Sequence, residues 1–226
     1  MRVLVLISLF VLAACSGRPL TPAEKSYATQ MHGSSINVSR IRLIDGALIG
    51  KTTYKRQKRP RLACRERILP EPTTDTVTVG PAAFVLHNRV YFAKEWYAPD
   101  YLPRYPQKMS LVHAMLFAHE ITHVWQWQNR DKTGYTPMRA ASEHGGGRDP
   151  YLFDLSTRAN LLDFGFEQQA GIVEEYVCCA ALDPDAPRTK RLEAMLSDAF
   201  PLGRLNIPEH VILPWDGAQT EGICSR

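Results

Sequence analysis

The residues with the plainest chemical meaning are His119-Glu120-Ile121-Thr122-His123. On a helix, a spacing of four sets two imidazoles one turn apart on one face, where both reach a single metal ion. Glu120 is turned about 100° from His119 by the 3.6-residue repeat, so it can face a water on that metal without ligating it. Zinc lowers the pKa of such a water towards about 7, and a carboxylate beside it takes the proton as a carbonyl is attacked. That is peptide-hydrolysis chemistry, with Zn2+ as cofactor and Glu120 as general base. Two histidines placed by chance in a helix are the competing account. The context weakens it: Met115-Leu116-Phe117-Ala118 precedes the motif and Val124-Trp125 follows it, as in a long buried helix.

A catalytic zinc takes a third protein ligand and keeps one position open. The downstream candidates are His144, Asp149, Asp154, Asp163, Glu167, Glu174 and Glu175. Glu167 is the choice, because it opens a second helical stretch and the small Ala170 and Gly171 one turn on let that helix come close. Glu174, two turns along the same face, is then placed to orient a histidine. No H-x-x-G-x-x-H extension follows His123, which argues against a metzincin. Tyr135, His144 and Tyr151 are candidates for stabilising an oxyanion. Tyr151 is the one named, although each also suits a plain surface position in a loop.

These residues need elements to hold them. Leu111, Met115, Ala118 and Thr122 recur at spacings of three and four, which predicts a helix over 107–129. A second helix is expected over 166–182, ending before Pro184, and a third over 187–199. Upstream, 38–44 and 76–79 read as strands, and 84–86 and 89–92 flank His87-Asn88 as a hairpin. The hairpin edge could accept an extended peptide, with a plain structural role the simpler account. Gly134, Pro137 and Gly145-Gly146-Gly147 mark 132–150 as a long flexible insertion. The expected fold class is α+β and zincin-like, a small N-terminal sheet packed on the HExxH helix and a second helix carrying the third ligand.

Composition bounds the class. With 45% hydrophobic and 22% charged residues the chain is an ordinary folded protein, neither disordered nor collagen-like. Its formal charge of +4 is too small an excess to argue for nucleic acid, and no such partner is expected. Arg2 followed by an apolar run ending in Leu12-Ala13-Ala14-Cys15 predicts a lipoprotein signal peptide over 1–14 and a lipidated Cys15 at a membrane. A tether over 15–35, with one short helix after Thr21, then leads to a catalytic domain over 36–226. By resemblance to lipoproteins of Gram-negative bacteria, Ser16 after the cysteine points to the outer membrane, with the domain facing the periplasm. An oxidising compartment favours disulfides among Cys64, Cys178, Cys179 and Cys224. A bridge between neighbours 178 and 179 needs a strained ring, so Cys64 and Cys224 are each expected to join one of them. Between 51 and 67, eight lysine or arginine residues against Glu66 read as a solvated loop, with contact to anionic headgroups the second reading.

HEITHVWQWQ, followed after about 40 residues by FEQQAGIVEEY, resembles the small gluzincin-type metallopeptidases of bacteria, including those described as Vgr-related. The likeness takes in RVYF at 89–92 and the segment from Tyr97 to Tyr101, and covers roughly residues 38–180. It implies His119, His123 and Glu167 as ligands and Glu120 as general base. Better-known gluzincins carry an acidic residue four positions after the ligand glutamate; Gly171 stands there instead, so the resemblance itself assigns no partner for a histidine. The functional expectation is a lipid-anchored zinc metallopeptidase acting on a peptide or protein substrate, its oligomeric state open. The alternatives are a non-catalytic zinc-containing lipoprotein serving as a binding or assembly module at the cell envelope, and a peptidoglycan endopeptidase.

Overall fold

Thr21 starts a helix through a reciprocal cap: its hydroxyl accepts the Glu24 N–H, while the Glu24 carboxylate accepts the Thr21 N–H at 2.9 Å. Pro22 takes the first helical position, where a missing N–H costs nothing. In the computed structural model, which describes residues 17–47, 50–55, 61, 63–145 and 149–225, this helix is α1, Pro22–His32. The expected signal peptide over 1–14 and the lipidated Cys15 lie outside the described residues. The tether expected over 15–35 is corrected from residue 17 onward. Tyr27 and Met31 are 1% exposed and belong to the main core, and the backbones of Arg18 and Leu43 exchange hydrogen bonds of 2.8 and 2.9 Å. The polar composition hid a narrow apolar stripe of Tyr27, Ala28 and Met31 on one helix face.

The next elements are β1 (Arg42–Ile44), β2 (Thr52–Lys55), α2 (Cys64–Arg67), β3 (Thr76–Val79), β4 (Ala83–Leu86), β5 (Arg89–Phe92) and β6 (Lys108–Ser110). β5 lies between β1 and β4, parallel to the first with Leu43 opposite Val90 and antiparallel to the second with Val85 opposite Val90. β2 and β3 form a separate antiparallel ribbon. The strand expected over 38–44 begins only at Arg42, because the Asn37 side chain accepts the Ser39 N–H and turns 38–40 into a 3-10 segment. In the hairpin turn the positive φ, 60°, falls on His87, the first central position. Ala83 and Val85 of β4 face the core, and Phe84 and Leu86 face out.

The longest helix is α3, Leu111–Gln128, with every residue from Phe117 to Gln126 buried. After it come α4 (Arg130–Thr133), α5 (Pro137–Ser142), α6 (Phe166–Leu182), α7 (Pro187–Ala199) and β7 (His210–Ile212), the last pairing in parallel with β6. α3 and α6 pack against each other, and both are apolar over most of their circumference, as doubly covered helices must be. The flexible insertion expected over 132–150 is corrected in its first half: α4 and α5 lie there, and Tyr135 and Ala140 close a small cluster against Phe166. Gly171 serves a different contact from the one expected, since a Cβ there would first meet the Phe153 ring at 3.4 Å and then the Tyr151 carbonyl. Cys64–Cys178 and Cys179–Cys224 are bonded, so α6 is tied to α2 on one side and to the C-terminal segment on the other. The architecture is mixed α+β. No helix among the described residues is long and apolar enough to cross a membrane.

Candidate metal centre

α3 presents His119 and His123 one turn apart, and the first turn of α6 brings Glu167 against them. His119 Nε2, His123 Nε2 and Glu167 Oε2 stand 3.3 Å from one another in every pair. Donors bound at about 2.0–2.1 Å with tetrahedral angles lie about 3.3–3.4 Å apart. The triangle therefore fits a four-coordinate divalent ion of zinc's size.

The far side of each imidazole is also engaged. His123 Nδ1 lies 2.8 Å from Gln126 Oε1 and donates to it, which leaves Nε2 bare in the neutral ring. Gln126 is itself fixed, donating to the Phe166 carbonyl and to Gln169 Oε1, both at 3.0 Å, while Gln169 donates to the Phe164 carbonyl. His119 Nδ1 faces Glu174 Oε2 at 3.4 Å, and Arg65 Nη1 donates to that same oxygen at 2.7 Å. The start of α6 is held by Glu143, whose two carboxylate oxygens accept the N–H groups of Phe166 and Glu167.

Glu120, Glu167 and Glu174 are all buried, and three buried carboxylates in one site call for a cation. Burial alone would lower the His119 pKa, but hydrogen bonds to Glu167 and Glu174 outweigh it and carry it up to about 10. His123 is raised as well, burial being overcome by the Glu167 charge. Burial works to raise Glu167, yet the facing His123 charge and the histidine hydrogen bonds hold it well below the usual carboxylate range. In the metal-free chain the histidines thus supply the positive charge by keeping protons, which a bound divalent ion would displace. Burial raises the pKa of Glu120, and its Oε2 has no hydrogen-bond partner among the described residues. A carboxylate so placed is suited to taking a proton.

All three oxyanion candidates stand at the ligands. The Tyr151 ring centroid is 5.9 Å from that of His119, the Tyr135 ring is 6.2 Å from that of His123, and His144 Nε2 is 3.1 Å from Glu167 Oε1. Burial pushes both phenols above their ordinary range, so they remain neutral donors. The other candidate ligands are engaged elsewhere: Asp154 holds Ser156, Asp163 accepts from Asn160, and Glu175 binds Arg188. Beside the triangle runs a groove of about 970 Å³, walled by the edge strand β4 and by Trp96, Met115, Leu116 and Met138.

No family model matches the chain. Over 189 residues it is 27% identical to the "Type VI secretion system spike protein VgrG2b" of Pseudomonas aeruginosa, a match that covers 83% of this chain and 15% of that protein. The chain thus spans less than a sixth of the length of this curated relative. A solved structure, "Effector domain of Pseudomonas aeruginosa VgrG2b", shares 26% identity with a TM-score of 0.47, covering 83% of this chain and 84% of that one.

These findings correct three expectations. The resemblance to gluzincin-type, Vgr-related metallopeptidases with a lipoprotein signal gives way to similarity with a type VI secretion system spike protein. The lipid-anchored metallopeptidase reading falls with it, as does the lipoprotein binding or assembly module. Hydrolase, metalloprotease, lipoprotein and outer-membrane labels are likewise not what the matching protein carries.

Four supporting residues escaped the sequence reading. Gln126 had a signal, three positions after His123 on the same helix face. Glu143, Gln169 and Arg65 had none, since each reaches the site across a tertiary contact. Arg65 and Arg67 also correct the solvated-loop reading of 51–67: α2 turns Arg65 onto Glu174, and Arg67 donates to the Ile223 carbonyl.

Proposed function

We propose that this chain is an effector-type domain whose chemistry is metal-dependent hydrolysis, with zinc held by His119, His123 and Glu167. The observation that carries the reading is the triangle of ligand atoms at 3.3 Å beside the buried Glu120, whose Oε2 has no hydrogen-bond partner among the described residues. The effector half of the reading is supported by the spike-protein similarity.

Bound there, zinc supplies Lewis acidity, polarising a carbonyl and acidifying water. The chain's own residues do the rest. Gln126 and Glu174 fix the two imidazoles; Glu120 takes a proton on one carboxylate oxygen and can return it to a leaving group. Tyr151 offers a neutral hydroxyl as an oxyanion donor from the groove wall. A polypeptide is the substrate class we propose, because the edge of β4 along the groove, unpaired among the described residues, suits an extended chain. The finer, zincin-like description of the fold rests on the same α3–α6 pair and is part of this proposal.

Two measurements test it. Purified chain is analysed for metal and incubated with a peptide library beside Glu120→Gln, and the domain is expressed in bacteria in each compartment while growth is followed. The reading expects about one zinc per chain, cleavage lost in the variant, and growth inhibition that depends on Glu120. A metal-free protein, or inhibition undiminished by Glu120→Gln, overturns it.

A further inference from the structure

We propose that Arg65 is a positioning residue of the metal centre, docked by the Cys64–Cys178 bridge and acting on His119 through Glu174. The inference rests on the metal reading above and adds a remote segment to it.

Three links fasten α2 to α6. Cys64, the first residue of α2, is bonded to Cys178 of α6. Its backbone N–H donates at 3.0 Å to Glu175 Oε1, a buried oxygen also bound by Arg188 Nε at 2.7 Å. The next residue, Arg65, donates from Nη1 to Glu174 Oε2 at 2.7 Å. The same Oε2 faces His119 Nδ1 at 3.4 Å, so one oxygen is shared between the guanidinium and the ligand imidazole. Holding that oxygen still holds the ring, and with it the direction of Nε2. The guanidinium also lies 5.8 Å over the Tyr151 ring, itself beside His119.

Charge gives an independent reason. Glu120, Glu167 and Glu174 all line the groove at the ligand triangle, and Arg65 brings a positive charge among them, paired with Glu174. Arg suits this place better than Lys, because its planar fork keeps one N–H on the carboxylate while its face covers an aromatic ring. The bridge fixes α2 one residue away, so the pairing does not depend on a long, free side chain finding its partner.

The test is zinc affinity by chelator competition on the full chain, with near-UV circular dichroism to check folding. Arg65→Ala is expected to weaken zinc binding by about 10- to 100-fold, the range for losing a partner that orients a ligand. Arg65→Lys is expected to recover part of that loss, which a merely structural role would not require. Cys64→Ala/Cys178→Ala should weaken binding as Arg65→Ala does, and adding Arg65→Ala to it should cost little more, since both cut one chain of contacts. Should Arg65→Ala fail to fold, Arg65→Gln carries the same expectation. Zinc affinity in the folded Arg65 variants within about twofold of wild type overturns the inference alone; a wild-type chain that takes up no zinc overturns the metal reading and this inference together.

Discussion

Glu167 and Glu174 lie on one face of α6, yet only one of them could touch an ion held between His119 and His123. Seven residues at about 1.5 Å rise put their Cα atoms about 10 Å apart. Glu167 Oε2 is 3.3 Å from both Nε2 atoms, whereas Glu174 Oε2 meets His119 on its far nitrogen, Nδ1. Removing Glu167 by substitution with Ala takes away a donor and its charge. If three donors share a zinc-binding free energy near the lower end of the ~10–16 kcal/mol range, each accounts for about 3 kcal/mol, more than a hundredfold in Kd. Glu174→Ala leaves the donor triangle intact and loosens one ring, for a loss of about 10- to 100-fold. Chelator competition on purified, folded variants measures both. A larger loss from Glu174→Ala than from Glu167→Ala, or a Glu167→Ala affinity within about tenfold of wild type, would refute the geometry argued here.

Glu120→Gln keeps the ligand set, so zinc content should stay at the wild-type level while turnover of any cleaved peptide falls by about 10² or more; equal turnover excludes Glu120 as the base. Peptide mapping under non-reducing conditions should recover Cys64 joined to Cys178 and Cys179 joined to Cys224, and the crossed pairing would contradict the docking of α2. His32 supplies a pH prediction: it is fully buried, stacks on Trp125, and burial lowers its pKa to about 3. Its folded pKa is depressed, so its contribution is complete above the unfolded value near 6.5 and is lost as pH falls towards about 3, at about 1.4 kcal/mol per unit. Urea unfolding of the metal-free chain at pH 6.5 and 4.5 should therefore show about 2 kcal/mol of acid destabilisation in wild type that His32→Gln lacks; an identical pH slope in the variant counts against it.

Sequence periodicity was enough for the helices that matter. The observed α6 and α7 have the predicted bounds, and α3 begins only a few residues late because 108–110 join β7 as a strand. The hairpin of β4 and β5 was equally legible, since its alternation and two-residue turn are local properties. Pairing the histidines needed nothing beyond the helical repeat. Choosing Glu167 needed helix proximity, and there the stated reason was incomplete: Gly171 makes room for the Tyr151–Phe153 segment, while Gln126, Gln169 and Glu143 set the register of α6 against α3.

What the chain alone determines, then, is what repeats at short range: helix faces, turn residues, caps, and a pair of histidines four positions apart. Even the disulfides were narrowed to two pairings by the geometry of adjacent cysteines. The fold decided the rest. Arg65 meets Glu174 across 109 residues and Cys64 meets Cys178 across 114, separations over which no periodic signal survives. The stripe of α1 read as polar until Tyr27 and Met31 were seen packed in the core. A buried charge is stable only beside its partner, and that partner is chosen by packing; the polar surroundings of this site therefore became readable only once α2, α3 and α6 were placed together.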